Sequence, residues 1–193
     1  MPKARKSGDP VLDDIEVTVT FLEMTAPPSH YPPLPYGKQV AILKTRNLPR
    51  HFYRYLMDRV GRKWHWVNSL RMSDADIETA LRAQGRDIRV LYLDGSPAGF
   101  FDLKPHLPGE VELAYFGMMD HAMGQGIGKW FLGAAIEACW SHGPRVVTVQ
   151  TCTLDHPAAL PLYQRLGFSP VGQKLETIRP LPFAERSEIV MRD

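Results

Sequence analysis

Cysteine is scarce in this chain. Only Cys139 and Cys152 occur among 193 residues, and they have neither the spacing of a metal-binding pair nor that of a redox motif, so no metal site is expected and a reduced cytoplasm is the simplest setting. Net charge is scarce as well: 23 basic against 21 acidic side chains leave +2, too weak a field for nucleic-acid binding. No apolar run approaches the roughly 20 residues that span a bilayer, and the N-terminus lacks the apolar stretch of an export signal, so neither a membrane nor export is expected. Internal repeats and low-complexity blocks are missing too. With 44% hydrophobic and 23% charged residues, what is left is the composition and length of one globular domain.

Residues 1–14, polar and charged, read as a flexible N-terminal arm ahead of a single domain over 15–193. Ile15, Val17, Val19 and Phe21 alternate with polar residues, which predicts a strand over about 15–24. The prolines between Pro27 and Pro35 predict an extended surface connector. Helices are expected over about 49–60, where Phe52, Tyr55, Leu56 and Val60 recur at helical spacing, and again after Ser73, whose partner Asp76 suggests a capping box. Asp94-Gly95 sits between apolar runs 88–93 and 98–103 and predicts a hairpin, with a third strand over 111–116. Further on, a helix follows Ile127, a strand covers 146–152, a short helix covers 157–166, and two weak strands are expected near 170–177 and 187–191.

Between strand 111–116 and the next helix lies Gly124-Gln125-Gly126-Ile127-Gly128. A strand, a glycine turn and a helix N-terminus together converge free backbone N–H groups on an anion, and the missing Cβ atoms let a phosphate approach the main chain. The Gly-Lys-Ser/Thr ending of a Walker loop and the spacing of a dinucleotide fingerprint are both missing, so the turn by itself indicates a diphosphate and no more.

A second signal follows in residues 156–168, where Ala159, Tyr163, Gly167 and Phe168 resemble a segment of the GNAT acetyltransferases that follows the fifth strand. The glycine turn is similar to that family's coenzyme A loop, with Gly126 and Gly128 at its fixed positions, although Met123 stands where the family has Arg or Gln and His156 where it often has Asn. The resemblance is strongest over about 88–170, the coenzyme-binding core. It implies an α/β (α+β) fold: a central mixed, mostly antiparallel, twisted sheet of six to seven strands, flanked by about four helices and splayed between the fourth and fifth strands, here 111–116 and 146–152. It further implies an acetyl-CoA-dependent N-acetyltransferase acting on a small-molecule or protein amine by direct attack in a ternary complex. A non-catalytic acetyl-CoA sensor on the same fold is the alternative, and a homodimer stays open.

The coenzyme would be held, by this resemblance, through Phe116, Met118, Met123, Gly124, Gln125, Gly126, Ile127, Gly128, Lys129 and His156. Tyr163 stands where the family places the residue that meets the departing thiolate, and a phenol is a fitting acid for it. For a base, strand alternation puts Glu110, Glu112 and Ala114 on one face and Val111, Leu113 and Tyr115 on the other, in the core; Glu112 lies deeper in the apolar run and is the candidate, with His121, His156 and water as alternatives. The aromatic residues of 52–61 and the Trp64–Trp66 pair read first as core.

Overall fold

The computed structural model describes residues 12–105 and 108–192; most of the expected arm lies outside them. Seven strands form one sheet: β1 (Ile15–Met24), β2 (Val40–Lys44), β3 (Asp87–Leu93), β4 (Ser96–Pro105), β5 (Glu110–Met118), β6 (Val146–Cys152) and β7 (Ser169–Ile178). Their spatial order is β2-β3-β4-β5-β6-β1-β7. All neighbours are antiparallel except β5 and β6, as a glycine turn and a crossover helix between those two strands require.

Helices α1 (Arg50–Gly61), α2 (Asn68–Arg71), α3 (Asp74–Leu81) and α6 (Phe183–Val190) cover one face; α4 (Gly128–Trp140) and α5 (Ala159–Arg165) cover the other. Each face has its own core. Phe131, Leu132, Ala135 and Ile136 of α4 meet Leu103, Leu113 and Val149 of the sheet on one side. Tyr53, Leu56, Met57 and Val60 of α1, at helical spacing, meet Val90 and Phe100 on the other. The buried stripe of α1 is therefore rotated from the expected one: Phe52 and Tyr55 are half-buried and stack on each other at its margin, ring centroids 5.8 Å apart.

Local signals explain most boundaries. Ser73 caps α3, its Oγ accepting from the Asp76 N–H at 3.1 Å and donating to the Asp76 carboxylate at 2.6 Å. The proline connector lies across α4, where a Cβ on Gly133 would come within 2.6 Å of Pro32. β2 and the C-terminal segment differ from the sequence reading. The short β2 was not expected; it is an edge strand with Leu43 56% exposed, so its sequence lacks the alternation of a half-buried strand. The strand expected at 187–191 is instead the end of α6, which starts after Pro182 and turns buried Arg186 onto Asp58, Nη1 to Oδ1 3.2 Å, while Ile189 enters the core. A two-residue apolar pair, Ile189–Val190, does not distinguish the two structures.

Candidate active site

β5 and β6 pair only from Glu110–Val146 to Leu113–Val149. Beyond Leu113, β5 stays with β4 as far as Met118 while β6 stays with β1, so the two strands diverge. A cavity of about 460 Å³ opens between them.

A bulge decides what lines it. Asp102 of β4 faces Tyr115 and Leu103 faces Leu113, leaving Ala114 without a partner. The extra residue reverses the alternation downstream. Val111, Leu113, Phe116 and Met118 therefore lie on the α4 face, whereas Tyr115 packs with Trp66 and Phe100 on the α1 face. The expectation that Tyr115 shares a face with Val111 and Leu113 is thus corrected: uniform alternation does not survive an inserted residue. Glu112 and Tyr115 now flank the same opening, and Glu112 accepts from Gln150 Nε2 at 3.2 Å.

On the α4 side, the chain from Met119 passes through a single 3₁₀ turn to the glycine loop. Gly124 (φ +74°) and Gly126 (φ +78°) adopt the left-handed region with open space where a Cβ would stand. α4 has no side-chain cap, and its first backbone bond runs from Phe131 N–H to Ile127. From Gly124 to Trp130 no N–H donates to any described group. Such a run of donors at the positive end of a helix dipole is a fitted seat for phosphate oxygens, so the residues present suit coenzyme A.

Of the expected coenzyme residues, Phe116, Met118, Met123, Gly124, Gly126, Gly128 and His156 line the cavity. The side chains of Gln125, Ile127 and Lys129 do not. Gln125 accepts from Lys38 Nζ at 3.0 Å and donates to the His121 carbonyl at 2.9 Å, Ile127 is fully buried, and Lys129 is exposed. Lys38, which brings a positive charge to the loop, was not foreseen. His156 accepts from the Ala158 N–H through Nδ1 at 3.0 Å.

Tyr163, on α5, also lines the cavity. Gly167 at φ +107° ends the helix, and the Phe168 N–H returns to the Tyr163 carbonyl at 3.1 Å, packing the Phe168 ring edge-on against Tyr163. No described group hydrogen-bonds the phenol, which sets it apart from a buried tyrosine that satisfies a backbone group. Burial, and less strongly the Asp155 carboxylate, push its pKa well above the ordinary range. Cys152 borders the same space with its thiol pKa raised by burial and by Asp155, the opposite of an activated nucleophile.

The far wall comes from the segment after α1. Trp66 N–H bonds the Gly61 carbonyl at 3.1 Å across a turn in which His65 takes φ 55°, ψ 39°. This is a Schellman closure with His65 where glycine is usual. It drops Trp66 between Gly61 and Gly117: a Cβ on Gly61 would lie 2.5 Å from Trp66, and one on Gly117 would lie 2.4 Å from Val60 and 3.2 Å from Trp66. Trp66 Nε1 donates to Asp155 at 3.2 Å, and Trp64 packs edge-on against His156, so the segment bridges from α1 to the loop after β6.

The sequence model of the Acetyltransferase (GNAT) family matches residues 47–168. The chain belongs to the GNAT acetyltransferase family. No curated protein matches it. Among solved structures it is similar to a conserved Staphylococcus epidermidis protein of unknown function, with TM-score 0.56 and 14% identity over 87% of this chain and 64% of that one. A GCN5-related N-acetyltransferase from Kribbella flavida gives TM-score 0.55 and 17% identity, over 85% of this chain and 58% of that one. An aminoglycoside N-acetyltransferase in complex with CoA gives 0.50 and 22%, over 72% and 93%. At these identities the likeness is one of fold, and this chain spans less than two thirds of the first two. The fold is the GNAT fold, with its splayed strands, and it places no helix long and apolar enough to cross a membrane among the described residues. Nor do those residues contain a cluster suited to a metal ion.

Proposed function

We propose that this GNAT protein is an N-acetyltransferase that moves the acetyl group of acetyl-CoA to a primary amine by direct attack in a ternary complex. The observation that carries this reading is the run of N–H groups from Gly124 to Trp130 that no described group accepts from, with Gly124, Gly126 and Gly128 of that run lining the same cavity as Tyr163 and Glu112. Bound acetyl-CoA would supply an activated acetyl carbon; the amine forms a C–N bond to it as the C–S bond breaks, and the sulfur leaves as a thiolate. The loop N–H groups would hold the diphosphate, and the β5 edge beyond Leu113, unpaired toward β6, offers main-chain groups near Phe116 and Met118 to the pantetheine.

Tyr163 holds the proton for the thiolate. Its raised pKa keeps the phenol protonated through neutral pH; because the same burial makes it a weaker acid than a thiol of pKa about 8.5, the phenol stabilises the departing thiolate by hydrogen bonding and delivers its proton only as the free thiol forms. Glu112 draws the incoming ammonium and takes a proton from it, directly or through water. Thiol release from acetyl-CoA, followed across a panel of amines, tests the reading. Coenzyme A binding without amine-dependent thiol release would identify a sensor in place of an enzyme.

A further inference from the structure

The proline connector and Lys38 at its end are not used by the chemistry above, yet they meet the glycine loop from outside the cavity. Taking the transferase reading as its starting point, we infer that Lys38 is a specificity-determining residue for the coenzyme: it binds the phosphate carried on the adenosine ribose of CoA, so that the protein selects CoA over 3′-dephospho-CoA.

Position supplies the first part of the argument. Tyr31 packs against the core that α4 covers, and Pro32 presses on Gly133 of that helix. Gly37 then turns the chain at φ +74°, and the Gln39 carbonyl accepts from the Asp94 N–H at 2.9 Å as β2 begins. Lys38 is thus held between two fixed points. Its Nζ donates to Gln125 Oε1 at 3.0 Å, and Gln125 Nε2 donates to the His121 carbonyl at 2.9 Å. These two bonds set the ammonium beside the second residue of the N–H run 124–130. Neither Gln125 nor Lys38 lines the cavity, so the ammonium stands on the outer side of the loop.

Charge supplies the second part. The partner of Lys38 is a neutral amide, and among the described residues no carboxylate pairs with it. One of the ammonium's three donors is used, so its charge and two donors can still meet a ligand. No acidic residue occurs between Glu23 and Asp58 or between Asp120 and Glu137, the two stretches that meet here, and Asp120 itself pairs with Lys63 at 2.8 Å. An anion at this junction meets no opposing carboxylate from either stretch. Coenzyme A brings such an anion: one ribose joins its diphosphate to a further phosphate. With the diphosphate on the loop N–H groups, that phosphate comes out at the rim of the loop. A lysine serves there as a point charge that takes phosphate oxygens without demanding one orientation, and its hold on Gln125 orders it in advance.

The test is calorimetry of CoA and of 3′-dephospho-CoA on the intact protein, which needs no turnover. The wild type should bind CoA about tenfold more tightly than the dephospho form at low salt, and the preference should shrink as ionic strength rises. Lys38→Met keeps the length and removes the charge. It should lose most of the preference by weakening CoA, with dephospho-CoA held within about twofold, and Lys38→Arg should keep most of it. The dephospho form also controls for structure: if Lys38 only braced Gln125 and the loop, Lys38→Met would weaken both ligands equally, and that result overturns the inference. So does a wild type that binds the two ligands alike. So does a preference lost in Lys129→Met and kept in Lys38→Met, which would put the phosphate over the exposed Lys129. All three leave the transferase reading standing, because CoA still binds; a wild type that binds neither ligand removes that reading along with the inference.

Discussion

The two walls of the cleft are made of different materials. The wall proposed for the donor is main chain: N–H groups of 124–130 and the open edge of β5, shaped by Gly124 and Gly126 at positive φ with open space where a Cβ would stand. The wall proposed for the acceptor is side chain: Trp64 and Trp66 from the turn after α1, Tyr115 and Glu112 from β5, Lys104 from β4, and Ile178 from the end of β7. A wall of backbone is sensitive to a Cβ at its glycines and little affected by side-chain chemistry. A wall of side chains is the reverse, so substitutions on the two sides should fail in different ways.

The largest effect is expected on the donor side. Gly126→Val places a β-branched residue at φ +78° and puts its Cβ into the space where a phosphate would approach. Coenzyme A affinity should fall by roughly 100-fold or more. Calorimetry on a variant whose melt shows it to be folded checks this, and wild-type affinity there would remove the loop from the coenzyme site. Tyr163→Phe, at the junction of the two walls, should lower turnover by roughly 100-fold with coenzyme affinity nearly unchanged. A raised phenol pKa means the proton is present at neutral pH and lost only far into the alkaline range. Wild-type turnover should therefore show no alkaline fall from Tyr163 up to about pH 10. Matching losses of affinity and turnover in the variant would make Tyr163 a packing residue.

This contrast also explains what could be read before the structure. Gly126, Gly128 and the Tyr163/Gly167/Phe168 spacing are local patterns, each enforced by a backbone need within a few residues, so they are visible in sequence. The capping Ser73 and the Asp94-Gly95 turn are legible for the same reason. The acceptor wall joins residues more than a hundred positions apart, such as Trp66 and Ile178, and only the folded sheet brings them together. Two further features erase their own signal. The bulge at Ala114 leaves no mark in composition, yet it moves Tyr115 to the other face, and His65 occupies a left-handed turn that a glycine would have announced.

On the acceptor side, Glu112→Gln keeps the hydrogen-bonding shape toward Gln150 while removing the charge. A base predicts a turnover reduced by about tenfold or more at saturating amine; a charge that only attracts the ammonium predicts a raised acceptor KM with turnover kept. Either result leaves coenzyme affinity alone, which is how an acceptor-wall lesion differs from Gly126→Val. Unchanged turnover and KM together would move the search for a base to His121, His156 or ordered water.

The smallest effect tests whether the left-handed turn belongs to the fold or to the site. His65 at φ 55° pays a backbone cost of about 1–2 kcal/mol relative to glycine, lowered because histidine is among the residues that enter this region more readily. Glycine relieves that cost but loses about 0.5–1 kcal/mol through its freer unfolded chain. His65→Gly should therefore stabilise the protein by only about 0.5 kcal/mol, raising Tm by about 1–2 °C for a chain of this size. His65→Ala keeps the Cβ, and with it the strain, while deleting the ring, so it should not share the gain. If both variants also raise the acceptor KM, the imidazole touches the amine, and the strain serves the site. If KM is untouched in both, His65 is the residue that shapes the turn, and the tryptophans on either side of it carry all of that segment's contact with the acceptor.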